Sequence, residues 1–298
     1  MAANFVILIT GSNGQVGFEL QRALAPLGRV IASDRYDCDL ADADRLSAHI
    51  RAVRPDVIVN AAGYTAVDRA ELERDVAFDV NAHALGIIGA EATKLGASVV
   101  HYSTDYVFRG DKAGPYIEDD QAEPLNVYGH SKLAGEQALL ASCRQSLVLR
   151  TTWVVGAHGG NFAKTILRLA GEKNSLDIVA DQYGAPTSAA LIADVTAHLL
   201  RKLQTDRGKF PFGVYHLSAS GRTSWHEYAV FVVEEAIKAG RVLKVAPSDI
   251  RAIPSSAYPV AAERPLNSIL SSEKLCSTFQ LRLPAWQDGL IHILKQIL

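Results

Sequence analysis

FVILITGSNGQVG, Phe5 to Gly17, is the stretch on which the fold turns. Phe5 to Ile9 is continuously apolar, as in a strand buried on both faces of a parallel sheet, and it passes straight into glycines at 11, 14 and 17. Apolar residues at helical spacing follow from Phe18 to Leu27. Strand, glycine turn and helix come in the order that a dinucleotide site requires. Gly11 permits the tight turn, Gly14 lets backbone N–H groups approach a pyrophosphate, and Gly17 lets the helix lie close to the strand. The helix N-terminus adds partial positive charge. A glycine triplet alone is often only a turn; the strand before it and the helix after it favour the cofactor reading.

Outward from this unit the pattern repeats. Val30 to Ser33 reads as a second strand ending at Asp34-Arg35, where the chain meets an adenosine ribose. An acid there accepts from the 2'-hydroxyl of NAD and an arginine pairs with the 2'-phosphate of NADP, so having both leaves the choice open. Asp39-Leu40 falls either at the adenine edge or in the N-cap region of a helix over Ala43 to Val53. Asp56 to Asn60 is the third strand, and the small residues after it, Ala61, Ala62 and Gly63, let a ligand lie across the sheet. A helix-packing loop is the plainer reading of that segment. Ala77 to Leu95 predicts one crossover helix, in which Asn81 either holds the backbone beside the site or faces solvent. Val99 to Tyr102 and Leu147 to Arg150 are the fourth and fifth strands. Between them Asp105 to Leu125, broken by Gly110, Gly114, Pro115 and Pro124, predicts a loop that covers the site as a flap.

Beyond Trp153 the alternation weakens. A helix opens at Asn161 and reaches about Gly171, Asp181 to Thr187 is a polar loop, and Ala189 to Leu203 is an amphipathic helix. Val214 to Leu217 is a short strand, Trp225 to Ala239 a helix, and the proline-rich tail from Val245 predicts irregular loops before a last helix over Trp286 to Ile297. The expected division is a dinucleotide-binding domain over 1–152, rejoined by segments near 176–200 and 213–222, and an interleaved substrate lobe over 153–298.

The chemistry centres on Val99 to Glu136. The fourth strand delivers Ser103, Thr104 and Asp105 to its C-terminal end, and a helix presents Tyr128 and Lys132 four residues apart on one face. A phenol beside an ammonium is a natural proton donor, because the positive charge favours phenolate. Thr104 supplies a hydroxyl to orient the group being protonated. Tyr-x-x-x-Lys alone fits a solvated helix face equally well. Joined to the glycine turn it gains meaning: hydride addition to a carbonyl creates an alkoxide that needs a proton.

The bulk properties agree. With 298 residues, 48% of them hydrophobic, the chain has ample material for a packed core. A formal charge of -2 shows no basic stripe, which speaks against nucleic acid or an anionic membrane as partner and for a small molecule. The apolar runs fall well short of the ~20 residues that span a bilayer, and no charged N-terminal region precedes a cleavable apolar one, so a cytoplasmic address is expected. Cys38, Cys143 and Cys276 are scattered and the nine histidines form no ligand cluster, so neither a disulfide framework nor a zinc site is expected.

Eight segments carry a resemblance: TGSNGQVG from Thr10, NAAGYTAVDRAE from Asn60, HYSTDYVF from His101, PLNVYGHSKLAGE from Pro124, RTTWVVG from Arg150, NFAKT from Asn161, DQYGAPT from Asp181 and RPLNSIL from Arg264. On these, the chain resembles the dTDP-4-dehydrorhamnose reductase family of the extended short-chain dehydrogenase/reductase superfamily. The resemblance implies an α/β fold, a Rossmann-type doubly wound parallel sheet of seven strands, with a smaller, mostly helical lobe for the nucleotide-sugar. It implies reduction of the C4 carbonyl of dTDP-4-dehydro-β-L-rhamnose by NADPH or NADH, the last step of dTDP-L-rhamnose biosynthesis, a precursor route for cell-surface polysaccharide such as lipopolysaccharide O-antigen. Thr104, Tyr128 and Lys132 take the catalytic positions, with Asp105 close by. Gly11, Asn13, Gly14, Gln15 and Val16 match the phosphate loop, and Asp39, Leu40, Ala61, Ala62 and Tyr64 match segments along the cofactor, beside the Asp34 and Arg35 read above at the ribose. Thr65, Thr104, Tyr106, Trp153, Asn161, Lys164 and Arg264 are the expected substrate contacts, the aromatic face suiting a sugar or thymine and the cations a diphosphate.

The chain departs from the family at Arg109, where an acid or small polar residue is expected. Relatives that dimerise through a divalent ion hold it with glutamates; Glu19 offers one, but Ala189 and Ala190 stand where another acid would serve, which puts a Mg2+-linked homodimer in doubt. Two other activities stay open: an epimerase or dehydratase recycling a tightly bound NAD, and a non-catalytic regulatory subunit of the methionine adenosyltransferase type.

Overall fold

The structure, a computed structural model, describes residues 5–298. Six parallel strands form its central sheet: β1 (Val6–Thr10), β2 (Arg29–Ser33), β3 (Val57–Asn60), β4 (Ser98–Thr104), β5 (Ser146–Thr151) and β6 (Gly213–His216). Their spatial order is β6-β5-β4-β3-β1-β2. The order reverses at β1, and such a switch point opens a crevice outside the carboxyl ends of the strands.

Side-chain alternation explains the layers. Ile7 and Ile9 of β1 point to one face and pack with Leu20 and Leu24 of α1 (Gln15–Leu24) and with Ile192 and Leu199 of a long later helix. Leu8, Ile58 and Val99 point to the other face, against Leu46 and Ile50 of α2 (Ala43–Val53), Leu85 and Ile88 of α3 (Ala84–Leu95), and Leu139 of α4 (Val127–Ser142). Each of these fully buried aliphatic side chains contributes roughly 1.5–3 kcal/mol. A second core joins α5 (Phe162–Glu172), α7 (Trp225–Lys238) and α8 (Trp286–Ile297), with Ile166, Tyr228, Val232 and Leu290 at its centre; α6 (Ala189–Thr205) is the long helix packed on α1.

Three expectations change. The sheet has six strands rather than seven, because Leu176–Val179 pairs in parallel with Ile250–Ile253 in a separate two-stranded sheet. Leu176 is buried in the second core, only a few residues after α5, whereas α6 packs on α1 and β6 pairs with β5 in the central sheet. The crossover over Ala77 to Leu95 is not one helix: Arg74–Phe78 leads into a π-helical turn at Asp79–His83 before α3. Buried there, Asn81 accepts from Tyr64 N, donates to Tyr64 O, and donates to Ser131 Oγ of α4. The proline-rich tail also holds regular structure, the Ile250–Ile253 strand and a helix at Glu273–Phe279, with prolines at their flanks. Among the described residues no helix is long and apolar enough to cross a membrane.

Candidate active site

The glycine turn is a cradle. Gly11 has φ +73°, and a Cβ there would come within 2.6 Å of Ala62 N. Gly17 lies so close to the Gly11 carbonyl that no side chain fits between them. Gly14 caps α1 without a side chain, so the first N–H groups of that helix have no side-chain acceptor. Backbone donors, helix dipole and close approach are what a bound pyrophosphate needs, and the residues present fit an NAD(P) group there. Val16 packs behind this turn against the sheet core. Gln15 reaches across to the second lobe, its Oε1 accepting from Gly156 N (2.8 Å) and from Asn161 Nδ2 (3.0 Å).

At the end of β2 the two candidate ribose residues differ in freedom. Asp34 accepts from Asn13 Nδ2 (2.9 Å) and from Tyr36 N (2.8 Å). Arg35 is largely exposed and, among the described residues, its side chain meets Asp39 alone, at 3.4 Å. Asp39 is not the cap of α2; Asp42 is, accepting from Arg45 N at 3.0 Å. Leu40 is buried in the core beneath it.

The strand ends converge on the helix. In the sheet register Thr10 stands beside Asn60 and Asn60 beside His101, all facing α4. Lys132 of α4 is buried; its Nζ donates to Tyr102 O (2.6 Å) and lies 3.1 Å from His101 Nε2. His101 Nδ1 lies 3.0 Å from Asn60 Nδ2, and Asn60 Oδ1 accepts from Thr10 Oγ1 (2.5 Å) and Ala62 N (3.3 Å). Burial pulls the lysine down to about 8, Glu136 opposing it, and drives His101 well below its usual range. Beside them, burial pushes the Tyr128 phenol up to about 12, the Thr104 hydroxyl pulling the other way. The expected lowering of Tyr128 by Lys132 is therefore not seen: desolvation outweighs a lysine turned toward Tyr102 O and His101.

Next to the phenol sits Asp105, buried, accepting from Thr104 Oγ1 at 3.1 Å and pushed up to about 6 by desolvation. Its Oδ2, and the hydroxyls of Ser103, Thr151 and Thr152, are buried with no partner among the described residues. Such groups call for a polar ligand or water at the ends of β4 and β5. Tyr106 stands edge-on to Tyr128, ring centroids 5.5 Å apart.

Other expected contacts take structural partners. Arg264 forms a two-pronged pair with Asp68 (3.1 and 2.6 Å). Lys164 Nζ donates to the carbonyls of Ala157 (2.5 Å) and Gly159 (2.7 Å), and Asn161 caps α5. The Tyr64 phenol donates to Glu73 (2.6 Å), and Thr65 is exposed. Trp153 holds a left-handed φ of 45°, stacks on Trp225 at 3.5 Å and packs, partly buried, against the second core with Gly184 close on its ring. The loop from Asp105 to Leu125 is pinned to the tail: Tyr116 N donates to Ile269 O, and Asn267 Nδ2 donates to the carbonyls of Lys112 and Gly114. Sequence reading did not single out His101, Asn60 or Thr10; the visible signal was a histidine inside an otherwise apolar strand.

Among the described residues no three His, Cys, Asp or Glu side chains gather as a metal site. A dTDP-4-dehydrorhamnose reductase of Escherichia coli (strain K12) is 48% identical to this chain over 295 residues, covering 98% of the chain and 97% of that protein. One from Burkholderia thailandensis is 49% identical over 283 residues, 94% of the chain and 95% of the relative. The crystal structure of dTDP-4-dehydrorhamnose reductase from Bacillus anthracis in complex with NADP superposes with a TM-score of 0.88 at 33% identity, covering 98% of this chain and 99% of that one. The model of the RmlD substrate binding domain matches residues 5–298, and with these relatives it establishes that the chain belongs to that family.

Proposed function

We propose that this protein reduces the C4 carbonyl of dTDP-4-dehydro-β-L-rhamnose to dTDP-β-L-rhamnose, using NADPH or NADH, in the cytoplasm. The observation that carries the reading is the meeting of Thr104, Tyr128 and Lys132 at the carboxyl end of β4, beside the loop that packs on the glycine turn. The full-length likeness to named reductases supports the substrate. A bound nicotinamide supplies hydride to C4. Tyr128 gives its phenolic proton to the C4 oxygen, its high pKa keeping that proton in place at neutral pH. The Thr104 hydroxyl turns from Asp105 to hold the same oxygen, and Lys132 holds the nicotinamide ribose. Trp153, stacked on Trp225 and covered by Gly184, offers the sugar nucleotide its ring edge. The engaged Asp34 and the exposed Arg35, held by Asp39 only at 3.4 Å, favour NADPH.

The test follows absorbance of each reduced cofactor with the 4-keto-deoxysugar nucleotide made in situ. Tyr128→Phe is expected to lower turnover at least about a hundredfold with cofactor affinity nearly intact. Normal turnover in that variant would remove Tyr128 from the role. Absence of sugar-dependent oxidation in the unaltered protein would sink the whole reading.

A further inference from the structure

We propose that His101 is a positioning residue that sets the charge of Lys132, acting through a buried chain that runs from Lys132 through His101 and Asn60 to Thr10. The inference deepens the function proposed above and rests on it only where turnover is measured.

Hydrogen-bond accounting carries the argument. Asn60 Oδ1 faces two donors, Thr10 Oγ1 and the Ala62 N–H, so its amide nitrogen must face His101 Nδ1. Nδ1 therefore accepts. An imidazole accepting at both nitrogens would be an anion, so the ring proton sits on Nε2, 3.1 Å from Lys132 Nζ. Two donors cannot share that contact. It is satisfied when Lys132 is a neutral amine, accepting from His101 Nε2–H, donating to Tyr102 O at 2.6 Å, and keeping one N–H free. That N–H has room beside Gly63, where an added Cβ would lie 3.9 Å from Nζ.

The surroundings do not restore the charge. From its own helix Lys132 faces Glu136, which raises it but is already held by Arg150 of β5 at 2.7 Å. From β3 and β4 come Asn60, His101 and a carbonyl; from the π-helical turn comes Asn81, bonded to Ser131 and the Tyr64 backbone. His101 and Asn60 are both fully buried, so water does not substitute for either partner. The depression of Lys132 to about 8 agrees with this arrangement. Protonating Lys132 requires His101 to move its proton to Nδ1, where the Asn60 backbone carbonyl or the turned Asn60 side-chain oxygen accepts it, so the lysine and the imidazole switch together.

The experiment has three readouts. In the unaltered, ligand-free protein at pH 9, the imidazole 15N spectrum of His101 is expected to show the proton on Nε2. The 13Cε signal of Lys132, assigned with Lys132→Arg, is expected to titrate near 8. In His101→Gln, whose side-chain oxygen can face an ammonium, that midpoint is expected to rise by about one pH unit or more. The alkaline limb of kcat/KM should move with it, leaving the variant roughly tenfold more of its plateau value at pH 9.5. An Nδ1–H tautomer at pH 9, or a Lys132 midpoint unmoved by His101→Gln, overturns the proposal. Should His101→Gln not fold, Asn60→Asp, which forces the proton to Nδ1, is expected to raise the midpoint likewise, and the spectrum of the unaltered protein decides by itself. Correct spectra in a protein that reduces no 4-keto sugar would refute the function and leave this inference standing.

Discussion

Asp105 is where burial and chemistry conflict most sharply at the level of single residues. It is buried, and desolvation raises it from 3.8 to about 6 although the Ser268, Thr104 and Thr152 hydroxyls and its own backbone N–H pull the other way. A folded-state value above the unfolded one means the folded protein holds the proton more tightly. The resulting cost to stability is absent below about pH 4, grows between pH 4 and 6, and is complete above 6, with an upper bound of about 3 kcal/mol. Asp105→Asn removes the charge at constant shape. It is expected to stabilise the protein at pH 8 by up to that amount and to give no gain at pH 4, as measured by denaturant unfolding at both pH values. Equal effects at the two pH values would show that Asp105 is not ionised in the folded state at pH 8.

At the level of elements, α4 holds the site because its N-terminus is tied down. Asn126 caps it, accepting from Gly129 N at 2.8 Å, while its amide donates to Glu263 O of the tail at 2.7 Å. Glu71 accepts from Val127 N at 2.8 Å, so the first turn is fastened from two sides. On the far face Gly135 meets the Asn81 carbonyl so closely that only glycine fits, which seats α4 against the π-helical turn. Asn126→Ala is expected to cost about 1–2 kcal/mol through the lost cap, and melting should fall by about 2–4 °C per kcal/mol. Because Tyr128 sits two residues beyond, kcat should fall as well, by less than in Tyr128→Phe. A full melting temperature with lowered kcat would assign Asn126 to the chemistry instead.

Across the whole molecule, the two lobes meet at the glycine turn through Gln15. The side chain of His158 stacks on Phe18 of α1 at 4.4 Å with its Nε2 3.0 Å from Asn13 O, beside the Gln15 bonds to Gly156 and Asn161. Lys164, turned to the carbonyls of Ala157 and Gly159, keeps that loop in shape. The clasp links the cofactor cradle to the lobe that carries Trp153. Gln15→Ala is expected to raise KM for both the reduced cofactor and the sugar nucleotide by about fivefold each, the loss of about 1 kcal/mol of hydrogen bonding, with kcat retained. Steady-state kinetics on both ligands checks this, and an effect confined to the cofactor would mean that the lobes do not communicate through Gln15.

Much of this was legible before any coordinates. The five strands from β1 to β5, the glycine cradle, α5 to α8 and the shared face of Tyr128 and Lys132 follow from patterns within a dozen residues, where backbone geometry alone decides which side chains are neighbours. The partners were another matter. Arg264 looked free for a diphosphate, yet it is bound to Asp68, 196 residues away in the chain. Leu176–Val179 is a strand whose partner lies near residue 250, and no local pattern says which sheet it joins. His101 reads as one polar residue in an apolar strand until β3 sets Asn60 beside it and α4 lowers Lys132 onto its other nitrogen. Sequence alone determined where the elements lie and which residue types could do the chemistry, because those depend on short-range sterics and periodicity. Only the tertiary structure decided which polar groups are desolvated together, and that joint burial determines the protonation and partners of every group at the site.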